Sequence, residues 1–300
     1  MRTLLQTLAL GCILTLPVSP IYGQDTEDAR PGLNETTFKG LEWRGIGPAL
    51  MSGRIADIAI DPADRSTWYI AVGSGGIWKT TNRGTTWASV FDGEGSYSIG
   101  AITVDPNNHN TVWAGTGENI SGRHVGYGDG VYKSLDGGAT WKNMGLKSSE
   151  HIGMIAIDPR DSDVVYVAAQ GPLWSGGGDR GLFRTSDGGS NWELILRGGE
   201  YTGVSEVHFD PRNPDILFAV KHQRLRNVAA LMNGGPESGI FKSVDGGKNW
   251  RELTTGLPEQ DMGKIGLAIS PIDPEVVYAT IELGRRTGGF WRSQDNGESW

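Results

Sequence analysis

Three carboxylates stand at positions where acid–base chemistry would be expected. Asp57 and Glu206 each lie four residues before an Asp-Pro pair that ends a short apolar run. Glu118 lies in a longer polar link between two other apolar runs. Hydrolysis of a glycosidic bond requires two carboxyl groups, one as acid and one as base or nucleophile. The three residues are therefore the candidate catalytic residues, and solvated side chains at a channel mouth are the alternative.

Other catalytic chemistry has no counterpart in the sequence. The histidines show no metal-ligand spacing, and they are His109, His124, His151, His208 and His222. Neither a Gly-x-Ser-x-Gly nucleophile elbow nor a phosphate-binding Walker loop occurs. We therefore predict neither a metal site nor a cofactor.

Composition narrows the class of protein and its partners. The 300 residues include 35 acidic and 27 basic side chains, for a formal charge of −8. A surface that tracks nucleic acid phosphates needs the opposite sign, so nucleic acid is excluded as an expected partner. The chain has 46 Gly and 11 Trp but one Cys, Cys12. This combination is typical of an all-β protein with many tight turns that is held together by packing.

One eight-residue pattern occurs five times and dominates the sequence. Its form is Ser/Thr-x-Asp/Asn-x-Gly-x-x-Trp, and the copies end at Trp87, Trp141, Trp192, Trp250 and Trp300. The acidic or amide position is held by Asn82, Asp136, Asp187, Asp245 and Asp295. Such a side chain accepts hydrogen bonds from a turn backbone, and the glycine takes a left-handed turn position. We interpret these residues as structural turn-formers, repeated because the turn repeats.

Apolar runs around each pattern define the repeating unit. Three runs precede each pattern: an apolar run that ends in Asp-Pro or Ser-Pro, a run containing an aromatic residue, and a third run. In the first four copies a fourth run follows the tryptophan. Four antiparallel strands every ~50 residues describe one blade of a β-propeller. We predict an all-β fold, a β-propeller of four-stranded antiparallel blades with Asp-box turns, with five blades visible.

The links between the second and third strands of the blades differ most between repeats. They share one face of a propeller with the links between blades, opposite the repeated turns, and such loops on a rigid scaffold are the usual place for function. Solvated variable loops are the alternative. The candidate ligand-binding residues are Arg54, Glu118, Asn119, Arg123, His124, Trp174, Arg180, His222, Arg224 and Arg286.

The amino terminus has the composition of a targeting segment. A basic start, an apolar run and a breaker-rich end predict a signal peptide over 1–23, with lipidation of Cys12 as an alternative. The apolar run is too short to span a bilayer. Residues 24–36 are a polar leader, and 37–300 form the propeller. These features predict an exported protein, periplasmic or extracellular. The fifth repeat lacks a strand after its turn, so we expect a longer propeller; alternatively, residues 38–46 close a five-bladed ring.

The repeated pattern resembles the BNR repeat, or Asp-box, of sialidases, the sortilin family and xyloglucan-type glycoside hydrolases. The fit is similar to secreted bacterial proteins of the sortilin N-terminal-like type, often labelled BNR-repeat glycosyl hydrolases. It rests on Trp43-Arg44-Gly45-Ile46-Gly47-Pro48, Gly75-Gly76-Ile77-Trp78-Lys79-Thr80 and Gly115-Thr116-Gly117-Glu118-Asn119. The resemblance implies a propeller over about residues 37–300, a span that contains no cysteine for the Cys-rich module of sortilin.

The resemblance also implies two functions and exposes two departures. Xyloglucan-type enzymes carry a catalytic Asp where this chain has Gly73, and Arg54-Ile55-Ala56 resembles the sialidase Arg-Ile-Pro motif without its proline. We therefore predict binding of a glycan, peptide or protein on the loop-rich face. A glycoside hydrolase of sialidase or xyloglucanase type is the alternative, and an assembly factor, as in photosystem assembly proteins with this repeat, is a third.

Overall fold

The computed structural model describes residues 37, 39–40 and 53–300, without the side chain of Arg286. The predicted signal peptide, polar leader and ring-closing strand lie almost wholly outside these residues and stay predictions. The chain divides into two compact units, Met1–Met51 and Ser52–Trp300. The fold described below is that of the second unit.

Twenty strands form five antiparallel sheets, which we call blades one to five. Blade one consists of β1 (Ile55–Ile60), β2 (Trp68–Val72), β3 (Gly76–Thr80) and β4 (Ala88–Ser89). Blade two consists of β5 (Ile99–Val104), β6 (Val112–Thr116), β7 (Val131–Ser134) and β8 (Lys142–Asn143). Blade three consists of β9 (Ile152–Ile157), β10 (Val165–Ala169), β11 (Gly181–Thr185) and β12 (Glu193–Arg197). Blades four and five hold β13 (Thr202–Asp210), β14 (Asn213–Arg226), β15 (Leu231–Asn233), β16 (Gly239–Ser243) and β17 (Arg251–Leu253); and β18 (Met262–Ile269), β19 (Val277–Leu283) and β20 (Gly289–Ser293).

Helical structure among the described residues is confined to short 3₁₀ turns, which include Lys147–Ser149 and Gly284–Arg286. In the same part of the chain, no helix has the length and apolar character needed to cross a membrane. The prediction of an all-β protein built from Asp-box propeller blades is confirmed.

The hydrophobic core lies between neighbouring blades. Strand β10 is buried along its whole length, and its β-branched and aromatic residues fit the pleated surface of a central strand. Each of four clusters joins one blade to the next; Tyr69 of blade one, for example, packs with Ile102 and Val112 of blade two. The first strands β1, β5, β9, β13 and β18 contact one another in that order. They are therefore the inner strands, and their side chains face a central channel.

The Asp-box turns have the same geometry in all five blades, and each begins at the end of its blade's third strand, or of β16 in blade four. In blade three, the Thr185 hydroxyl donates to Asp187 and accepts the Gly189 N–H at 3.0 Å. The other Asp187 oxygen accepts the Asn191 side chain at 2.7 Å. Gly189 has φ of 94°, in the left-handed region that favours glycine, as predicted. These short-range bonds make each turn self-contained.

The sequence predicts that the link between the second and third strands of blade four spans Lys221–Ser238, and the start of that prediction is wrong. Strand β14 continues to Arg226, because its pairing with β13 extends to Thr202 and Gln223. Its last residues then pair with the added strand β15, from Arg224 opposite Asn233 to Arg226 opposite Leu231. His222 and Arg224 are thus strand residues, and the loop is the hairpin that follows them.

Candidate functional site

The loop-rich face is tied together most densely between blades one and two. The Ser98 hydroxyl donates to the carbonyls of Gly73 and Gly126, at 2.8 and 3.1 Å. The Gly73 N–H donates to the Arg54 carbonyl at 2.8 Å. These bonds connect three segments: the link between β2 and β3 in blade one, the link between blades one and two, and the link between β6 and β7 in blade two. The sequence residues with candidate chemistry in these links therefore come close together.

Arg54, Glu118 and His124 form one polar cluster, which we call the Arg54 cluster. The Arg54 guanidinium donates to the Glu118 carboxylate through Nε at 2.5 Å, and Nη2 also contacts that oxygen. Arg54 Nη1 lies 3.2 Å from His124 Nε2. The Glu118 side chain is 2% exposed and that of Arg54 is 40% exposed. The buried carboxylate thus holds a cation whose outer part faces solvent.

Gly73 makes room for the Glu118 side chain. A Cβ built at Gly73 would overlap the Glu118 carboxylate, so no larger residue fits there without displacing it. Glu118 Oε2 is buried without a hydrogen-bond partner in the structure. The space beside Gly73, the position at which the sequence departs from xyloglucan-type enzymes, is therefore occupied by a carboxylate from the neighbouring blade.

Two exposed tyrosines lie in links that adjoin those of the Arg54 cluster. Tyr97 is 65% exposed and Tyr127 is 54% exposed. The Tyr97 carbonyl accepts the Gly75 and Gly76 N–H groups, which places it next to the link between β2 and β3 in blade one. The Tyr127 ring contacts the His151 ring edge-on at 5.9 Å. Arg123, also exposed, lies in the same blade-two link.

Residues 119–121, which we call the strap, cross from blade two to blades four and five. Three consecutive strap carbonyls accept hydrogen bonds from three cations: Asn119 from Lys264 Nζ at 3.1 Å, Ile120 from Arg224 Nη1 at 3.2 Å, and Ser121 from Arg226 Nε at 2.9 Å. Asn119 also donates its side-chain amide to the Gly100 carbonyl of β5. The strap is therefore anchored on both sides of the channel.

Arg180 and Arg224 are buried cations with backbone partners. Arg180 is 5% exposed, and its guanidinium donates to the carbonyls of Gly177, Gln170, Pro172 and Ser175. Arg224 is fully buried. Burial lowers the pKa of Arg180 to about 10 and that of Arg224 to about 9. Both predicted ligand-binding residues thus use their donors to hold loops in place.

Two histidines on this side of the molecule are buried in their neutral form. His151 and His222 are 0% and 2% exposed, and neither has a hydrogen-bond partner for its ring nitrogens. Burial, with the nearby Arg224 cation, lowers the pKa of each to about 3. His222, a predicted ligand-binding residue, lies inside the protein beside Arg224.

Asp57 and Glu206 line one cavity of about 170 Å³ in the channel, with Gln170, Ser205 and Lys264. Each also has a structural partner in the next blade. Asp57 accepts the Ile102 N–H at 2.9 Å, and Glu206 accepts the Leu267 N–H at 2.8 Å. Burial raises the pKa of Asp57. Glu118 neither lines this cavity nor shares a hydrogen-bond partner with the two carboxylates.

The remaining candidates are dispersed, and sequence reasoning missed several contributors. Trp174 is half-buried in the blade-three link, and the side chain of Arg286 lies outside the described part. Tyr97 was missed because it lies in the link between blades rather than in a second-to-third link. Lys264 was missed because it sits within an otherwise apolar inner strand, where a basic residue breaking the apolar pattern was the available signal. Within the described residues, no group of three or more His, Cys, Asp or Glu side chains is arranged to hold a metal ion.

Comparison with known proteins places this geometry among Asp-box propellers. A family model described as "Sortilin, neurotensin receptor 3" matches residues 129–257. The xyloglucanase Xgh74A of Acetivibrio thermocellus is 27% identical over 285 residues, covering 80% of this chain and 32% of the enzyme. The chain thus spans about a third of the length of the curated relative it matches.

Solved structures share the fold at lower identity. The GH74 xyloglucanase of Xanthomonas campestris superposes with a TM-score of 0.61 at 18% identity, covering 82% of this chain and 38% of the enzyme. YCF48 from Cyanidioschyzon merolae superposes with a TM-score of 0.50 at 15% identity, covering 82% of this chain and 69% of that protein. These matches confirm the predicted resemblance: the chain carries a sortilin-like Asp-box β-propeller segment, similar in sequence to a xyloglucanase.

Proposed function

We propose that the protein acts on a plant-type β-glucan as a propeller of glycoside hydrolase type. In this proposal the described blades supply a glycan-recognition surface at the Arg54 cluster. The observation that carries the proposal is the partly exposed Arg54 side chain, held by buried Glu118, with exposed Tyr97 and Tyr127 in the adjoining links. Similarity to a xyloglucanase over 80% of the chain supports the choice of a β-glucan. Export, predicted from the amino terminus, fits a polysaccharide ligand.

The chemistry of the surface suits a neutral polysaccharide. Tyrosine rings offer flat apolar faces on which sugar C–H groups can stack, together with a hydroxyl that can bond to solvent or ligand. Arg54 and His124 add polar groups beside them that can bind sugar hydroxyls and fix orientation. Because Glu118 is already paired with Arg54, its main role in binding is to orient that guanidinium.

Hydrolysis is a second candidate activity, favoured by one observation. The Glu118 carboxylate occupies the space that a side chain at Gly73 would enter, which is where xyloglucan-type enzymes carry a catalytic Asp. A glycosidase needs two carboxyl groups on opposite sides of the bond. Asp57 and Glu206 each bond to a backbone N–H of the next blade instead, so this proposal assigns the second carboxyl group to neither of them.

Binding is tested by affinity electrophoresis and calorimetry of the longest natural form of the protein with tamarind-type xyloglucan. We expect binding that Arg54→Gln weakens about tenfold, the usual effect of losing a hydrogen bond to a charged group. Tyr97→Ala should weaken it about fivefold, as expected for loss of an aromatic contact. Phe290→Ala, which removes an equally exposed ring in blade five, is the matched control and should leave affinity unchanged.

The two activities separate in one further variant. If Glu118→Gln abolishes the release of reducing ends from xyloglucan but weakens binding no more than Arg54→Gln does, the result would support hydrolysis through Glu118. Binding without release of reducing ends would restrict the function to recognition. Equal affinity for starch and xyloglucan, or no effect of Arg54→Gln, would contradict the proposed surface.

A further inference from the structure

The strap is joined to the rest of the propeller by a set of bonds that the proposed glycan surface does not itself require. Its carbonyl acceptors belong to blade two, whereas the donors Arg224 and Arg226 come from β14 and Lys264 from β18. The three residues of the strap carry no charged side chain. The three cations therefore donate to backbone carbonyls, in charge-assisted hydrogen bonds.

From this arrangement we infer that Lys264, Arg224 and Arg226 are positioning residues, which hold the strap across the channel mouth and thereby set the geometry of the Arg54 cluster. The inference rests on the proposed function for its binding consequence.

Chain connectivity carries the effect from the strap to the cluster. Glu118 immediately precedes the strap and His124 lies three residues after it. The Glu118 N–H donates to the Gly126 carbonyl at 3.2 Å, which closes the base of the link. A displacement of the strap therefore moves the carboxylate that orients Arg54 and the imidazole on its other side.

The strap and the three cations that bond to it are partly or fully buried. Asn119 lines the channel cavity together with Lys264 and Glu206, so the strap forms part of the cavity roof. Burial lowers the pKa of Lys264, with Glu206 acting in the opposite direction. Arg224 is fully buried, whereas the strap, Arg226 and Lys264 are half-buried, so water replaces a lost donor only in part.

Exposed Arg123, two residues beyond the strap, allows a direct test by limited trypsin digestion of the protein. We compare Arg226→Gln and Lys264→Met with Arg251→Gln, a control whose exposed guanidinium pairs with Glu298 far from the strap. Loss of one charge-assisted bond should raise the rate of cleavage after Arg123 about tenfold in both strap variants, because cleavage follows the population of the opened loop. Arg226→Lys, which keeps a donor, should return the rate toward that of the natural protein.

The same variants are then titrated with xyloglucan. If the cations position the strap, the strap variants should have a dissociation constant for xyloglucan that is about tenfold higher, in proportion to their cleavage rates. Their thermal unfolding midpoint should equal that of the control. Unchanged cleavage in both strap variants would overturn the inference, and rapid cleavage with unchanged affinity would overturn its positioning role. If the natural protein binds no xyloglucan, the proposed function fails, and the cleavage rates alone decide whether the cations hold the strap.

Discussion

The two sides of the propeller blades use hydrogen bonds in opposite ways. On the Asp-box side, the same bonds recur in five turns and join residues at most four positions apart within each turn. On the loop-rich side, single bonds join residues 64 and 105 positions apart, as in Arg54 with Glu118 and Arg226 with Ser121. Repetition thus builds the scaffold, and departure from repetition builds the candidate site.

The Asp-box side also joins blades, but again by a repeated device. Lys79 Nζ donates to the Gly137 carbonyl in the next box at 2.7 Å, and Lys242 Nζ donates to the Asn296 carbonyl in the same way. The Tyr69 and Tyr166 hydroxyls reach the boxes of neighbouring blades as well. In blades one, two and four, the lysine before the box therefore joins its own blade to the box of the next blade.

The largest expected difference between the two sides is in how a decrease in pH changes their contributions to the free energy of unfolding. On the loop-rich side, His151 and His222 have pKa values of about 3, below the ordinary value of 6.5. Between these values the unfolded chain binds one more proton per histidine, so the free energy of unfolding falls as pH decreases, by about 1.4 kcal/mol per pH unit for each. On the Asp-box side, the pKa of Asp187 is about 2 instead of 3.8, so its contribution is lost only as pH falls from about 4 toward 2.

Urea unfolding at pH values from 7 to 3 measures this difference. His222→Gln, which cannot be protonated, should flatten the decline between pH 6.5 and 4. His109→Gln, at an exposed histidine, is the control and should keep the original slope. An unchanged slope in His222→Gln would show that the histidine side chain is hydrated in solution.

Removal of a core tryptophan from beneath an Asp-box should be the next largest effect. Trp113 is fully buried, packs edge-on against Trp192 at 6.1 Å, and lies beneath the Gly189 turn. Trp113→Ala should lower the free energy of unfolding by about 3–5 kcal/mol, measured by urea titration. Trp174→Ala, in the half-buried loop-side link, should cost less than half as much. Equal losses would contradict the division into scaffold and site.

The scaffold could be predicted from sequence because its determinants are local. Each turn needs a hydroxyl, a carboxylate or amide, a glycine and a tryptophan within eight residues, and each strand needs only a short apolar run. These signals repeat five times, so a chance match does not explain them. The same argument explains why Arg54, Glu118, Asn119 and His124 were found as candidates, since they are the polar residues that interrupt the repeat.

The partners of those candidates could not be predicted, because they depend on the distance between blades. The Arg180 guanidinium turns back onto carbonyls of its own link, whereas Arg224 reaches a different blade. Both are arginines near the loop-rich face, and nothing in their neighbouring residues distinguishes the two outcomes. Glu118 fills the space beside Gly73 only because blades one and two place those residues together.

A single turn hydroxyl tests whether the Asp-box is a structural unit. Thr185 is 2% exposed, and its hydroxyl accepts the N–H groups of Asp187 and Gly189 at 3.2 and 3.0 Å. Thr185→Val keeps the shape but leaves these buried donors unpaired, which should lower the free energy of unfolding by about 1–3 kcal/mol. Thr185→Ser retains the hydroxyl and should restore most of the loss. Similar losses in both variants would instead assign the effect to packing of the methyl group.

The smallest expected effect is an exposed ion pair that joins blades four and five on the Asp-box side. Arg212 Nη1 lies 2.6 Å from Glu275 Oε1, and both side chains are nearly half exposed. Glu275→Gln should change the free energy of unfolding by about 0.5 kcal/mol or less in urea titration, because water and salt screen the pair. Lys242→Met breaks a buried tie between the same blades, whose ammonium is 6% exposed and bonds to the Asn296 carbonyl, and should cost about 1.5–3 kcal/mol. If the two variants lost equal free energy of unfolding, burial would not determine which bonds hold the blades together. Burial would then also not explain how the cations hold the strap.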